Sequence, residues 1–422
     1  MTTAKHILTS ILLILGLMAS AADPTATNYN ATQCEGSAMP YPTPAANSRI
    51  YPDSLTPLFI SHAGRHGARF LSSSKYTTAL SRMLNRADSI GSITPKGREL
   101  KKLCALVVSR TAGRWGALDS LGMAEQRAIA ARTWQYFPEL FTDRKVSAIS
   151  SYVPRCIASM DEFTHQLSRM NNRIEIYTSS GRQNNSLMRP WTDDADYTAY
   201  RDSEEWHKVY DEYYDKMVPD GIARKLLGEK YALDKGEERD LAMNAYKLVS
   251  GCAAMGINTD AMRFFTSEEY NALWAVNNLG HYLTHSASTL SRAPMDMAAA
   301  LLNNIVESID RAAEGQNPYG AELRFGHAET MMPLLALMRL GGCYYMTNYF
   351  DTVGLHWRDF YVVPMASNLQ IVLFKAKSGK LYVRADLNET PVPLIPGSDT
   401  LYVEWSRARD YLLRCLPLYL QP

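Results

Sequence analysis

The sequence predicts an α/β fold, a sheet flanked by helices, into which a mostly α-helical domain is inserted. Residues 56–62 and 146–150 each form a short apolar strand pattern that runs into an arginine-bearing loop and then a helical pattern. Residues 369–387 alternate around a Ser-Gly pair, as a β-hairpin does. Residues 178–291 instead carry charges and aromatics at helical spacing, with little strand pattern. Strands alternating with helices indicate a sheet whose strand ends gather one site.

Caps, prolines and periodicity predict the other elements. Thr94 and Pro95 have the residue types of a helix cap and a first-turn proline. We expect helices over residues 74–87, 95–109, 121–136, 157–170, 295–313 and 330–340, and a further strand over residues 322–325. The expected α/β domain comprises residues 22–177 and 301–422, and the expected helical insertion comprises residues 178–300.

Length, composition and charge restrict the class of protein. The 422 residues suffice for two domains or for one large domain with an insertion. The formal net charge is +1, so no overall basic field recruits nucleic acid or an anionic membrane. An anionic ligand therefore requires a local concentration of positive charge.

The first residues have the pattern of an export signal. Lys5 precedes an apolar run over residues 7–18, which ends at the small-x-small sequence Ala-Ser-Ala. An apolar run of about twelve residues is too short to cross a hydrocarbon core of roughly 30 Å. We expect residues 1–21 to be a signal peptide, and the mature protein to be periplasmic or secreted and to have no membrane span.

Six cysteines are widely spaced and include no CxxC pair, at positions 34, 104, 156, 252, 343 and 415. This spacing does not match a zinc site or a redox motif. Export permits disulfides, but the pairing cannot be read from spacing, and several cysteines fit equally well as free core residues.

Arg65, His66 and Arg69, in the stretch SHAGRHGARF, are the first candidates for chemistry. Arginine presents a permanently charged fork that matches phosphate or carboxylate oxygens. A neutral imidazole between two such forks is suited to attack phosphorus, while the arginines neutralise the phosphoryl oxygens. This scheme requires no metal and no other cofactor.

A second cluster, Gly326-His327-Ala328-Glu329, follows the strand expected at residues 322–325. His327 could donate to the phosphate, and Glu329 could protonate the leaving oxygen. Other histidines are weaker candidates. His281 and His285 have the i, i+4 spacing of a metal pair, but no HExxH accompanies them, so we expect ordinary helix residues. His62 is expected to be buried and hydrogen-bonded.

Taken together, these motifs resemble the histidine acid phosphatases, the two-domain branch of the histidine phosphatases. RHGAR at 65–69 is similar to the signature of that family, and His-Ala-Glu at 327–329 is similar to the multiple inositol polyphosphate phosphatases within it. LDSLGMAEQ at 118–126 resembles the LTxxGxxQ helix start of the family, and SSYVPRCIASMDEF at 150–163 resembles the segment with a third pocket arginine. PMASNLQIVLF and KLYVRADLNETPVPL resemble its C-terminal sheet.

The resemblance implies a phosphoglycerate mutase-like core and a role for each matching residue. It implies that His66 is the nucleophile and that Glu329 is the proton donor. The phosphate ligands it implies are Arg65, Arg69, Arg155 and His327, and the lesser substrate-binding candidates are Lys75 and Arg189.

Three positions depart from the pattern of the family. Leu71 stands where the family has proline, and Asp119 replaces the threonine of LTxxGxxQ, so that either Glu125 or Gln126 supplies the last polar residue. His-Ala-Glu replaces the His-Asp of other phytases, which leaves the positional specificity open.

The resulting expectation is a monomeric phosphomonoesterase that hydrolyses phytate or other inositol polyphosphates through phosphohistidine. Two alternatives remain open at this point: a broad acid or sugar phosphatase, and a non-catalytic organophosphate-binding protein. The intact pair of His66 and Glu329 favours an enzyme, because a pure binder needs neither a nucleophile nor an acid.

Overall fold

The computed structural model describes residues 27–421, which are built around a single mixed sheet. Its strands are β1 (Leu55–Arg65), β2 (Lys145–Ser150), β3 (Ile176–Ser180), β4 (Tyr319–Gly326), β5 (Asn368–Ala376), β6 (Leu381–Leu387), β7 (Thr390–Val392) and β8 (Val403–Glu404). The order is β3-β2-β4-β1-β5-β6-β7, with β8 paired to β6. Strands β3, β2, β4 and β1 are parallel, and the later strands add in antiparallel fashion.

Seventeen α-helices accompany the sheet within residues 27–421. The first six are α1 (Lys75–Ser89), α2 (Pro95–Thr111), α3 (Ser120–Tyr136), α4 (Glu139–Thr142), α5 (Pro154–Met170) and α6 (Asn185–Met188). The next six are α7 (Ala195–Arg201), α8 (Glu204–Met217), α9 (Ile222–Leu227), α10 (Lys235–Ser250), α11 (Ser267–His285) and α12 (Ala293–Asp296). The last five are α13 (Ala299–Ala313), α14 (Ala328–Leu337), α15 (Val353–His356), α16 (Asp359–Val362) and α17 (Trp405–Cys415). A sheet flanked by helices confirms the predicted fold class.

Apolar side chains cover both faces of the sheet. Along β1, Phe59 and Ala63 belong to one core cluster and Ile60 to the other, because successive side chains of a strand point to opposite faces. Helices α3 and α5 pack together, and α5 also contacts β2 and β4. Helix α13 contacts β1, and α17 contacts β6. The sheet is therefore a buried platform, and its strand ends are fixed in position.

The helical part of the chain begins after β3. Strand β3 pairs with β2, so the boundary expected between residues 177 and 178 falls inside a strand. The side chains of β3 are largely exposed, and its sequence IYTSS has no apolar alternation, which is why it was not predicted. From α6 to α12 the structure is helical. The helix expected over residues 295–313 is divided into α12 and α13. The division into domains remains a prediction.

The remaining sequence predictions concern export, a membrane span and the cysteines. The expected signal peptide, residues 1–21, lies outside the described residues. Within residues 27–421, no helix combines the length and the apolar character that crossing a membrane requires. All six cysteines are buried as free thiols, which agrees with the alternative of free core residues.

Candidate active site

The site lies at the edge of the sheet where three parallel strands end. Strand β1 ends at Arg65, β4 ends at Gly326 opposite it, and β2 ends at Ser150 opposite Phe325. Their continuations carry His66, His327 and, at the second residue of α5, Arg155. Carboxyl ends of parallel strands form one edge, so three distant segments of sequence meet at one place.

A close approach of two backbones shapes the loop after β1. A Cβ on Gly67 would lie 2.4 Å from the carbonyl oxygen of Gly122, in the first turn of α3. A Cβ on Gly122 would lie 2.2 Å from the carbonyl oxygen of Ala68. Only glycine, which lacks a Cβ, fits at either position. The glycines of the two sequence motifs are therefore packing partners.

Both polar candidates of the α3 motif hold this loop. The Glu125 carboxylate accepts hydrogen bonds from the backbone N–H of Ala68 (2.7 Å) and of Tyr41 (2.8 Å). The Gln126 side chain donates to the Arg65 carbonyl oxygen at 3.0 Å. The last polar group of the motif is therefore supplied by both Glu125 and Gln126. Asp119, in place of threonine, caps α3 by accepting from the Leu121 N–H at 3.0 Å.

His66 is held in one tautomer. Its Nδ1 lies 2.9 Å from the carbonyl oxygen of Gly67, which only accepts, so Nδ1 carries the proton. The lone pair is then on Nε2. The His66 N–H donates to the carbonyl oxygen of Gly326 at 3.0 Å, which ties the residue to the end of β4. A fixed imidazole with a free Nε2 lone pair is the form required for nucleophilic attack.

The surroundings of His66 favour its neutral form. Burial lowers its pKa well below the usual value, and the charges of Arg65, Arg155 and Arg69 lower it further. The side chain is 2% exposed. His66 is therefore neutral, with its one ring proton on Nδ1, even in mildly acidic solution.

Four arginines, three of them acting on His66 and the fourth on His327, have unsatisfied donors. The Nε atoms of Arg65, Arg69, Arg155 and Arg189 are buried and have no hydrogen-bond partner among the described residues. A buried donor without a partner costs about 1–3 kcal/mol. Burial and the neighbouring Arg69 lower the pKa of Arg65 to about 9, and burial and Arg155 lower that of Arg69 to about 10. Both features fit a pocket that receives an anion.

Backbone carbonyls fix the direction of two of these guanidinium groups. Arg65 Nη1 donates to the carbonyl oxygens of Ser37 and Val363, both at 2.5 Å. Arg69 Nη1 donates to the carbonyl oxygen of Phe70 at 2.9 Å. Their remaining N–H groups are therefore presented in a fixed geometry.

His327 is embedded in a hydrogen-bond network. Arg155 Nη2 lies 3.2 Å from Nδ1 and can only donate, so Nδ1 accepts and Nε2–H donates to Ser151 Oγ at 3.0 Å. Burial lowers the pKa of His327 to about 3, with Arg155 also lowering it and Glu329 opposing both. Both ring nitrogens have protein partners, so His327 contacts a phosphate directly only by exchanging one of them.

Glu329 lies in the first turn of α14, which starts two residues before the expected position. Burial opposes its ionisation, but His285, His327, a backbone N–H and Arg65 outweigh burial and lower its pKa to about 2. Without substrate, Glu329 is therefore a carboxylate.

A comparison with known proteins identifies the family. Residues 64–388 match the family model described as histidine phosphatase superfamily (branch 2). The chain is a branch 2 histidine phosphatase. The predicted family is thus confirmed over most of the chain.

Relatives and solved structures agree with this assignment. The histidine phosphatase is 27% identical to multiple inositol polyphosphate phosphatase 1 of Gallus gallus, over 88% of this chain and 85% of that protein. The Bifidobacterium longum multiple inositol polyphosphate phosphatase in complex with phosphate has a TM-score of 0.73 at 18% identity, with 92% of this chain and 99% of that chain covered. The phytase from D. castellii has a TM-score of 0.70 at 16% identity, covering 95% and 89%. At these identities, the two solved structures establish the fold.

The two lesser candidates of the sequence occupy different surroundings in this histidine phosphatase. The guanidinium of Arg189 lies 5.1 Å from the ring centroid of Tyr152 and 5.0 Å from that of Trp191, and its charge acts on His327. Arg189 is thus part of the cluster around His327. Lys75 is exposed at the start of α1, and its neighbour Tyr76 lines the cleft instead.

Sequence reasoning assigned no role to two histidines of α11 that the structure brings to the site. His285 is a main electrostatic partner of Glu329, and its Nε2 lies 3.3 Å from the Tyr197 hydroxyl. His281 lines the cleft. Their i, i+4 spacing indicates that both lie on one face of the helix, and this was the one sequence pattern that pointed to them. The sequence does not show what this face contacts, because tertiary packing determines it.

The expectation for His62 was wrong in one respect. The ring is buried as expected, 1% exposed, but neither nitrogen has a hydrogen-bond partner among the described residues. It packs between Phe163 and Phe325, with ring centroids 5.2 and 5.4 Å away. Burial among these rings lowers the pKa of His62 to about 3, so it is a neutral core residue.

The arginine pocket opens into a cleft with a cavity volume of about 250 Å³, between the sheet edge and the helical part. Arg65 and Arg69 lie on one wall. Tyr76, Lys247 and His281 lie on helices α1, α10 and α11 and line the cleft as well. The cleft therefore has room for more than a single phosphate group.

Proposed function

We propose that this histidine phosphatase hydrolyses phosphate monoesters through a phosphohistidine at His66 and that inositol polyphosphates are its substrates. One observation carries the mechanism: the hydrogen bond from Nδ1 of His66 to the Gly67 carbonyl oxygen, which leaves the Nε2 lone pair for phosphorus. The relatives named multiple inositol polyphosphate phosphatase support the choice of substrate.

In the first step, Nε2 of His66 attacks phosphorus and forms a P–N bond while the ester P–O bond breaks. The guanidinium groups of Arg65, Arg69 and Arg155 offset the negative charge of the phosphoryl oxygens in the transition state. The leaving alkoxide receives a proton from the carboxylic acid form of Glu329. The alcohol departs and His66 holds the phosphoryl group.

The proton on Glu329 depends on the substrate. Because its pKa is about 2 in the free site, the carboxylate is ionised there. A bound phosphate brings negative charge next to the same arginines and histidines, which raises the pKa of Glu329. The proton comes either from the phosphate monoanion or from solvent.

In the second step, water attacks the phosphohistidine. Glu329, now a carboxylate, accepts a proton from the water as the O–P bond forms. The P–N bond breaks, its electron pair returns to Nε2, and inorganic phosphate leaves. His66 and its hydrogen bond to Gly67 are restored.

The experiment that tests the substrate is chromatography of the inositol phosphates released from phytate over time, with parallel rates on glucose 1-phosphate and p-nitrophenyl phosphate. We expect stepwise loss of phosphate from phytate. Negligible phytate turnover beside good turnover of the two monophosphates would favour a broad acid or sugar phosphatase. Binding of phytate without turnover of any ester would favour the organophosphate-binding protein.

Export, oligomeric state and domain division are further parts of this proposal. We infer export from the pattern of residues 1–21, and N-terminal sequencing of the mature protein tests it. A monomer predicts a single-chain mass in light scattering. We infer that the inserted helical domain, expected over residues 178–300, begins after β3 ends at Ser180, and deletion of residues 181–300 tests whether the remaining α/β part folds.

A further inference from the structure

Lys247 is a half-buried cation that lines the cleft. Its Nζ lies 4.9 Å from the ring centroid of Tyr76, and within residues 27–421 it forms no salt bridge. Burial lowers the pKa of Lys247, and the like charge of Lys75 lowers it further, while Asp240 opposes both. An ammonium group in this situation gains from the arrival of an anion.

His281, on the neighbouring helix α11, is held in one orientation. Its Nδ1 lies 2.9 Å from Oδ2 of Asp359, a carboxylate that is fully buried. Asp359 also accepts from Trp274 Nε1 at 2.9 Å and from the Ser37 N–H at 3.1 Å. The proton of the imidazole is therefore on Nδ1, and Nε2, on the opposite side of the ring, is left for a ligand in the cleft.

Ser37 connects this histidine to the arginine pocket. Its N–H donates to Asp359, and its carbonyl oxygen accepts from Arg65 Nη1 at 2.5 Å. One peptide segment thus fixes both the arginine beside His66 and the carboxylate that orients His281. The two cationic parts of the cleft are held at a fixed separation.

Among the residues that line the cleft, the acid is Glu35. Its Oε2 is buried and has no hydrogen-bond partner among the described residues, and burial raises its pKa to about 8. Glu35 is therefore uncharged near neutral pH and does not repel a polyanion. With Glu35 uncharged, Arg65, Arg69 and Lys247 give the cleft a positive charge.

We propose that Lys247 and His281 form a subsite that binds a second phosphate group of a substrate whose scissile phosphate lies beside His66. Asp359 acts as a positioning residue, because it touches His281 and not the substrate. This subsite rests on the proposed function and deepens it: it selects esters with at least two phosphate groups. Nε2 of His281 donates to a phosphate oxygen when protonated and accepts from a P–OH group when neutral.

The test is competitive inhibition of p-nitrophenyl phosphate hydrolysis by inositol hexasulfate and by inorganic phosphate. Lys247→Met should raise the inhibition constant of inositol hexasulfate about tenfold more than that of phosphate, since a charged contact of this kind is worth about one order of magnitude. Lys235→Met is the matched control: Lys235 is exposed on the same helix α10, and its loss should leave the ratio within about twofold.

A pair of substitutions isolates Nε2 of His281. His281→Asn keeps an N–H close to the position of Nδ1, for Asp359, and removes the group at Nε2, whereas His281→Gln places its amide near the position of Nε2. We expect His281→Asn to lower the selectivity for inositol hexasulfate and His281→Gln to restore part of it. Equal effects on both inhibitors, or no effect on inositol hexasulfate, overturn the subsite. Because the inhibition assay does not require phytate turnover, a failure of the proposed substrate is observed separately, in the chromatography of phytate products.

Discussion

The imidazole rings of His66 and His327 meet edge to face, with centroids 5.7 Å apart and planes at 80°. They are brought together because Arg65 and Gly326, the residues before them, are register partners at the ends of β1 and β4. One ring has a free Nε2 lone pair, and the other is saturated by Arg155 and Ser151. This difference in hydrogen bonding is the reason why we propose His66, and not His327, as the nucleophile.

Glu329→Gln should slow ester hydrolysis according to the leaving group. An alkyl alkoxide needs a proton as the P–O bond breaks, whereas p-nitrophenolate leaves without one. We expect kcat on phytate or glucose 1-phosphate to fall about 10²-fold or more and kcat on p-nitrophenyl phosphate to fall much less. Steady-state kinetics on both substrate types measure this. Equal slowing means that the acid is another residue.

The pH profile should reflect the lowered pKa of His66. His66 is in its active, neutral form at pH values above its pKa in the folded protein. Burial and the three arginines keep this pKa well below the usual histidine value of about 6.5. As the pH falls, kcat/KM should therefore show no loss centred near pH 6.5. Arg155→Gln removes one of the cations, so the acid limb of normalised kcat/KM should move to higher pH by about one unit. An unmoved limb would show that Arg155 does not act on the titrating group.

Gly122→Ala should damage both stability and turnover. The new Cβ would lie 2.2 Å from the Ala68 carbonyl oxygen, and backbone on both sides has no room to move without shifting the loop that holds His66. We expect a loss of about 1–3 kcal/mol in the free energy of unfolding, together with a large drop in kcat. Gly341→Ala is the control, because a Cβ there meets nothing within 4 Å and its φ is not positive. Wild-type kcat in Gly122→Ala would contradict the close packing of the two motifs.

His62→Leu should make the protein less sensitive to acid. In the folded state the pKa of His62 is about 3, below the unfolded value of about 6.5, so the unfolded chain binds a proton that the folded protein does not. Stability is therefore lost as pH falls below about 6.5 towards 3, by up to about 1.4 kcal/mol per pH unit. Urea unfolding at several pH values should show that, between pH 7 and pH 4.5, the free energy of unfolding falls by about 2.5 kcal/mol less in the variant than in the wild type. A difference that does not vary with pH would mean that His62 is protonated or paired in the folded state.

The fold and the centre of the site could be predicted from the sequence because their signals are local. The arginine-histidine motif, the His-Ala-Glu cluster and the strands before them lie in short stretches, and parallel strands end at one edge. The sequence shows Gly67 in one motif and Gly122 in the other, but it does not show that the two glycines are in contact. Strand β3 could not be predicted, because its side chains are largely exposed and show no alternation of apolar and polar residues.

The second wall of the cleft could not be predicted, because it depends on packing between helices distant in sequence. In the sequence, Lys247 cannot be distinguished from a solvated lysine, and only the packing of α10 places it over Tyr76. His281 gains its orientation from Asp359, which lies 78 residues away. The state of Glu329 depends on His285, which no sequence motif joins to it.

Trapping of the covalent intermediate tests the central claim most directly. Enzyme mixed with p-nitrophenyl phosphate is quenched in alkali within one turnover, digested, and analysed by mass spectrometry. The proposed mechanism predicts one phosphoryl group on the peptide that contains His66, and neither this group nor turnover in His66→Ala. Phosphate on a different residue, or substantial hydrolysis by His66→Ala, would contradict it.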